Sequence, residues 1–322
     1  MTTMCCMIGL LSFSSSAIGA EDAARCDSGN ATVSFESQPG KLEILCDGQA
    51  VATYYYRDEK ITRPYFAHVR GPGGVPLTRN HPPDPAKDAA DHAELHPGIW
   101  LAFGDLSGAD NWRNKARVRH ERFVEHPHGG AGNGTFAVEN HYLAADDRAV
   151  ICRETCRYTI LVRPYGYLLD GDSVFQSDER EFSFGDQEEM GLGIRVATAL
   201  TVRQGGRILT ADGRKNERQV RGQQSAWCDY SGTIAGRRAG ITLMPHPSNF
   251  RPAWYHARDY GFVAANPFGR RALTGGPPSQ VVVQPGETFR LRFGVLLHSS
   301  SKDEPVDLVG AYDDYVDLST EK

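Results

Sequence analysis

From residue 32 onward, apolar and polar residues alternate in short runs separated by Gly, Pro, Asn and Asp. Side chains on a strand project to opposite faces with a period of two, so this alternation predicts half-buried strands. Residues 32–36 and 41–46 alternate around Gln38-Pro39-Gly40, and 49–56 follows the Asp47-Gly48 turn. Residues 61–69 are extended and carry Pro64, which suits an edge or a strand start. Residues 99–103 are an apolar segment, and further strands are predicted over 117–124, 135–143, 149–162, 167–174, 181–184, 193–199, 225–230, 240–244, 261–264, 280–283 and 288–297. Residues 79–98 and 205–216 read as polar connections. One helix is predicted, over 306–318, with Val306, Val309, Tyr312 and Val316 near one apolar stripe.

Many short strands with frequent turns indicate an all-β fold: a large antiparallel β-sandwich with long loops and a C-terminal helix. No repeat or linker divides the chain, so residues 21–322 are expected to form one sandwich domain. Hydrophobic residues make up 40% and charged residues 23%, the proportions of a globular chain. A net charge of -5 and a pI near 6.1 argue against nucleic acid, whose phosphates call for a basic face.

Residues 1–20 lack charge, hold the apolar run 7–13, and end in small residues, the pattern of a signal peptide. No other apolar run reaches the roughly 18 residues of a membrane span. A periplasmic or secreted chain is therefore expected. In an oxidising compartment Cys26 and Cys46, which bracket a predicted hairpin, are candidates to pair. Cys152 and Cys156, at i and i+4 of one strand, lie too far apart to bridge each other. Cys228 is left over or pairs with one of them. With no CxxC pair, a zinc ribbon is not expected.

Candidate chemistry gathers in two clusters. Between Asp91 and Trp112 the chain holds two histidines, four carboxylates and two tryptophans. His92, Glu94 and His96 alternate, so in an extended segment they would face one way. That trio fits general acid–base work, or ligation of a divalent metal through His92 and His96 with Asp105 or Asp110 adding oxygen, or a hydrogen-bonded loop scaffold. No cofactor is required by the first reading. The second cluster contains His246 between two prolines, Asn249, and the alternating set His256, Arg258 and Tyr260. An imidazole, a guanidinium and a phenol on one face suit a carboxylate-bearing or hydroxyl-rich ligand. Trp100 and Trp112 are either sugar-stacking platforms or core residues, and Arg195 is a candidate partner for a nearby glutamate. The fold is expected to bring the two clusters together. No GxSxG elbow, HExxH or Walker loop is present.

Several motifs carry a resemblance. They are Arg63-Pro64-Tyr65-Phe66, Gly71-Pro72-Gly73-Gly74, Asp91-His92 through Gly98-Ile99-Trp100, and Gly104-Asp105-Leu106-Ser107-Gly108-Ala109-Asp110-Asn111-Trp112. His246-Pro247-Ser248-Asn249, Arg258-Asp259-Tyr260-Gly261 and Ala265-Asn266-Pro267-Phe268-Gly269 continue the series. Together they are similar to the secreted bacterial family labelled "methane oxygenase PmoA", a family of unknown function often found beside sugar-processing genes. Where that family usually reads Asp-His-Pro-His-His-Arg-Gly, this chain has Asp91-His92-Ala93-Glu94-Leu95-His96-Pro97-Gly98. The resemblance implies a sugar-related role. It adds Arg63, Tyr65 and Asn266 to the substrate-binding candidates, and Glu189 as the match to a family glutamate.

Taken together, the expectation is an exported carbohydrate-active enzyme. Catalytic candidates are His92, Glu94, His96, Asp105, His246, His256 and Tyr260. Substrate-binding candidates are Arg63, Tyr65, Trp100, Asp110, Trp112, Glu189, Arg195, Asn249, Arg258 and Asn266. The leading reaction is elimination or dehydration of an oxidised or uronic sugar, with glycoside hydrolysis second. A non-catalytic glycan-binding sandwich and a metal-dependent sugar-processing protein are the alternatives.

Overall fold

A computed structural model describes residues 31–318. The expected signal segment, and a pairing of Cys46 with Cys26, involve residues outside that range. In chain order, β1 (Val33–Gln38), β2 (Lys41–Cys46), β3 (Gln49–Tyr55) and β4 (Tyr65–Ala67) open a first sheet. The short β5 (Arg70–Gly71) and β6 (Val75–Pro76) pair with each other, and β7 (Ile99–Phe103) returns to the first sheet. Strands β8 (Val118–Gly129), β9 (Asn133–Leu143), β10 (Val150–Arg163) and β11 (Gly166–Gln176) belong to a second sheet. After β12 (Phe182–Phe184) and β13 (Met190–Arg195) come β14 (Arg207–Thr210), α1 (Asn216–Val220), β15 (Cys228–Ile234) and β16 (Arg237–Pro245). Then follow β17 (Trp254–Arg258), β18 (Phe262–Asn266), α2 (Arg270–Thr274), β19 (Val281–Val283), β20 (Thr288–Ser300) and α3 (Leu308–Asp317).

Each large sheet has eight strands and is antiparallel, in the orders β1-β2-β3-β4-β7-β13-β18-β17 and β14-β15-β16-β20-β11-β10-β9-β8. Alternation sorts their side chains. In β7, Ile99 and Phe103 enter the core between the sheets, whereas Trp100 and Ala102 face outward into a separate apolar cluster. In β18, Val263 and Ala265 point inward, and Phe262 and Ala264 outward. The chain is thus a β-sandwich with an apolar layer between its sheets and another apolar patch on the outside of each.

Helix α3 covers the outer patch of the second sheet, with Ala311 and Tyr315 buried beside Leu168, Met244 and Leu296. The Asp307 carboxylate caps it, accepting from the backbone N–H groups of Val309 and Gly310 at 3.1 Å each. Val309, expected on the buried stripe, is 59% exposed. The burying face is set instead by Ala311 and Tyr315, one helical turn apart. Strand β14 lies in what reads as a loop, because Gly205-Gly206 and Asp212-Gly213 flank only four residues of it. Cys152, Cys156 and Cys228 are buried thiols, and Cys228 forms no disulfide with either of the others.

Candidate functional site on the outer face of the first sheet

Two rows of side chains build the floor of the candidate site. Across β7, β13, β18 and β17, Trp100, Gly193, Ala264 and His256 stand opposite one another. In the next row, Arg195, Phe262 and Arg258 are in register. Gly193 is required here. A Cβ at that position would lie 2.7 Å from the Trp100 ring and 2.9 Å from that of Trp112. Its absence lets both indoles lie across the strand, so Trp100 and Trp112 are core residues, each 1% exposed. Neither serves as a sugar-stacking platform.

The loop ahead of β7 folds over this floor. His92, Glu94 and His96 do not form an extended trio. The His96 N–H donates to the His92 carbonyl at 2.8 Å, a single helical turn, and His92 has φ of +51°. A left-handed backbone at a non-glycine residue is uncommon and costs energy, so the surrounding contacts must impose it. The turn stacks the His92 and His96 rings 4.7 Å apart and leaves Glu94 exposed elsewhere. His96 in turn lies flat on Phe262 and Trp100, at 4.6 and 5.1 Å. A metal bonds imidazole nitrogen in the ring plane, and two parallel stacked planes offer no common point. Among the described residues no three His, Cys, Asp or Glu side chains converge as metal ligands.

Three buried arginines hold the turn. Arg79 donates to the backbone carbonyls of Ala89, Asp91, His92 and His96. Arg63 donates to the Leu95 carbonyl at 2.7 Å and to the Asn114 side chain at 2.6 Å, which ties this loop to the next. Burial lowers the pKa of Arg63 to about 9 and that of Arg79 to about 10, so both remain charged at neutral pH. Arg195 donates to both oxygens of Asp91, at 2.9 Å each, a two-point pair. Arg195 was expected to hold Glu189. Glu189 instead takes Arg113, which also binds Asp110. Arg63 is sealed in the loop scaffold at 3% exposure, so direct substrate contact does not suit it.

The arrangement singles out His92. Its Nδ1 is 3.1 Å from Asp91 Oδ2, and its side chain is 46% exposed. Burial raises the Asp91 carboxyl, but its bonds from Arg195 and His92 outweigh that and hold it below the usual carboxylate range. An ionised carboxylate only accepts, so Nδ1 carries the hydrogen, and in the neutral tautomer Nε2 is the free lone pair. Tyr260 lies beside it, its ring parallel to His92 at 6.3 Å and under the Arg195 guanidinium at 4.6 Å. Burial raises the Tyr260 phenol despite Arg195 and Arg258, which keeps it a proton donor at neutral pH. His96 differs: burial, with His92 and three arginines nearby, drives its pKa far below the ordinary value, so it stays neutral.

His256 and Arg258 complete the face. His256 Nδ1 approaches the Glu188 carbonyl at 3.3 Å, and burial lowers its pKa to about 4. Arg258 reaches Glu188 at 3.8 Å and Glu217 at 2.8 Å, and Arg221 pairs with Glu188. Asn266 fixes this edge. Its amide donates to the carbonyls of Gln187 and Glu188, and its carbonyl accepts from the N–H groups of Phe268 and Gly269. Asp91 stood in the sequence only as part of a motif, and Glu217 and Arg221 carried no signal. Their roles depend on pairs 104 and 41 residues apart, and on a contact with Glu188 across 33.

Other sequence candidates lie apart from this constellation. His246 and Asn249 sit on the second sheet. His246 meets Tyr315 edge-on at 5.5 Å, and Asn249 exchanges two hydrogen bonds with the Arg292 backbone. The two clusters are therefore brought together only through 256–260. A sandwich has two outer faces, and His246 is on the other one. Asp105 closes a turn by accepting from the Gly108 N–H at 2.9 Å, and Asp110 accepts from the Arg113 N–H. Tyr65 donates to Asp58 at 2.8 Å and is 1% exposed.

Residues 41–307 match DUF6807, a family of unknown function. The chain belongs to that family. No curated protein matches the sequence. Among solved structures, a galactose mutarotase-like protein from Lactobacillus casei is 10% identical, covering 83% of this chain and 100% of its own, with a TM-score of 0.31. A second galactose mutarotase-like protein, from Clostridium acetobutylicum, is 8% identical over 84% of this chain and 99% of its own, with a TM-score of 0.36. A 4-alpha-glucanotransferase from Thermococcus litoralis is 9% identical over 83% of this chain but only 37% of its own, with a TM-score of 0.27. Likeness this slight carries no chemistry over to the chain, whose own residues must supply it. No helix among the described residues is long and apolar enough to cross a membrane.

Proposed function

We propose that the outer face of the first sheet is the working site of an exported carbohydrate-active enzyme, with His92 as its proton acceptor. The observation that carries this reading is the Asp91–His92 pair. It places an exposed, oriented imidazole beside a protonated phenol, on the face that also carries the part-buried Arg258 guanidinium. These groups bind and move protons on hydroxyl- and carboxylate-bearing molecules, which favours an oxidised or uronic sugar. In an elimination, Arg258 exchanges its contact with Glu217 for the substrate carboxylate, and His92 Nε2 removes the proton on the adjacent carbon. The new double bond forms as the C–O bond one carbon further breaks. The leaving oxygen takes the Tyr260 proton, and His92 then returns its proton to the phenolate.

Glycoside hydrolysis is the second reading, because Glu188 and Glu217 flank Arg258 as two carboxylates on one face. A glycan-binding module without turnover would have to rely on the exposed His92 ring and the half-buried Tyr260 ring, since Trp100 and Trp112 are buried. Titration of the full chain with glucuronate, followed by NMR of the histidine ring protons, tests occupancy of the site. A saturable shift of the His92 signals, absent in Tyr260→Ala, is the expected result. Unmoved His92 signals at millimolar ligand would contradict the reading.

A further inference from the structure

A second site lies on the opposite sheet. A cleft of about 210 Å³ opens beside the start of α3, lined in part by Arg207, Asp229, Ser231, Arg238 and His298. Its floor is a register of outward-facing positions. Arg207, Ser231, Gly240 and His298 stand opposite one another across β14, β15, β16 and β20, and Asp229 faces Thr242 in the neighbouring row. Gly240 makes the arrangement possible: a Cβ there would lie 2.8 Å from His298 Nε2 and 2.6 Å from the Ser231 Cβ. The imidazole can therefore lie over the strand and reach Asp229.

His298 Nε2 and Asp229 Oδ1 are 2.8 Å apart, and the two residues are 5% and 1% exposed. The Thr242 hydroxyl donates to the same carboxylate oxygen at 2.9 Å. An ionised, buried carboxylate accepts only, so Nε2 carries the hydrogen. His298 Nδ1 is left without a hydrogen-bond partner in the described chain, on a ring that lines the cleft. Arg207 and Arg238, both exposed at the rim, form no ion pair among the described residues. Two guanidinium groups with no carboxylate partner, above a buried His–Asp pair, make an anion-accepting pocket. Ser231, Thr233 and Ser300 add hydroxyl groups to the lining, and Pro305, Val306 and Leu308 form one apolar wall.

We infer that this cleft binds a small hydroxylated anion, its charge held by Arg207 and Arg238 and one of its hydroxyls bonded to His298 Nδ1. The inference does not depend on the site around His92, which lies on the other sheet. Calorimetric titration of the full chain with glucuronate, glucose 6-phosphate and glucose tests it, in a background where His92→Ala removes the proposed acceptor on the first sheet. Saturable binding of one or both anions, with none of glucose, is expected. The stronger of the two separates carboxylate from phosphate as the preferred charge. His298→Gln should weaken binding at least tenfold, and the exposed Arg238→Gln several-fold without lowering the melting temperature. Binding unchanged in both variants, or no binding of either anion, would overturn the inference. Should His298→Gln fail to fold, Arg238→Gln decides alone.

Discussion

Arg195 grips Asp91 through two 2.9 Å hydrogen bonds, although the residues are 104 positions apart. Arg195 stands on β13 and Asp91 on the loop ahead of β7, so this pair fastens the loop to the sheet. The same carboxylate orients His92. One carboxylate thus serves both the architecture and the chemistry proposed for the face.

Arg195→Met is expected to destabilise the chain by about 2–3 kcal/mol. Breaking one partner of a buried pair costs roughly 3–5 kcal/mol, and Asp91 is 36% exposed, which softens the loss. Urea unfolding measures it. A change below about 0.5 kcal/mol, the size of an ordinary surface substitution, would show that the pair does not hold the loop.

Acid should destabilise the fold in a defined window. Burial lowers His81, His120 and His256 to about 4 from an ordinary 6.5. Between those values the unfolded chain takes up protons that the folded chain refuses, so stability falls as pH drops from 6.5 to 4. Asp91, whose folded pKa is lowered, contributes stability above its ordinary carboxylate value that is lost as pH falls through the lowered one. Melting temperature should be level above pH 7 and decline steadily below 6.5. A flat profile down to pH 4.5 would mean these histidines are open to protonation in the folded state.

Gly193→Ala should cost about 1–3 kcal/mol, the range for overpacking, since its methyl group meets two buried indoles. Thermal unfolding, together with the tryptophan fluorescence of the folded state, reads both the loss and the displaced rings. Unchanged stability and emission would indicate that Trp100 and Trp112 can yield.

Asn266→Ala removes four hydrogen bonds at one buried point and strands their partners, at about 1 kcal/mol or more for each group left unsatisfied. The Gln187–Glu188 segment should lose hydrogen-exchange protection more than β18 itself. Equal loss along β18 would make Asn266 a general stabiliser rather than the residue that positions Glu188.

Strand alternation made the sandwich legible. Trp100 and Phe262 fall at positions whose parity places them on the same side of the sheet as His256. Parity does not say which sheet a strand joins, so it cannot separate His246 from a face that His246 does not share. Nor does it separate strand from turn at His92, Glu94 and His96, because alternate polar residues fit a strand and a tight turn equally well. What decides for the turn is Arg79, whose hydrogen bonds to four carbonyls bend the chain. A buried arginine leaves no periodic trace in sequence.

His92 is the residue proposed to transfer a proton on a sugar. Mass spectrometry of a panel of uronic, keto and neutral oligosaccharides, after incubation with wild type and with His92→Ala, tests it most directly. Loss of water or chain cleavage by wild type, reduced at least a hundredfold in His92→Ala, is the predicted result, in keeping with the roughly 10²–10⁴-fold that general acid–base catalysis contributes. Equal product from both chains, or none from wild type across the panel, would contradict it.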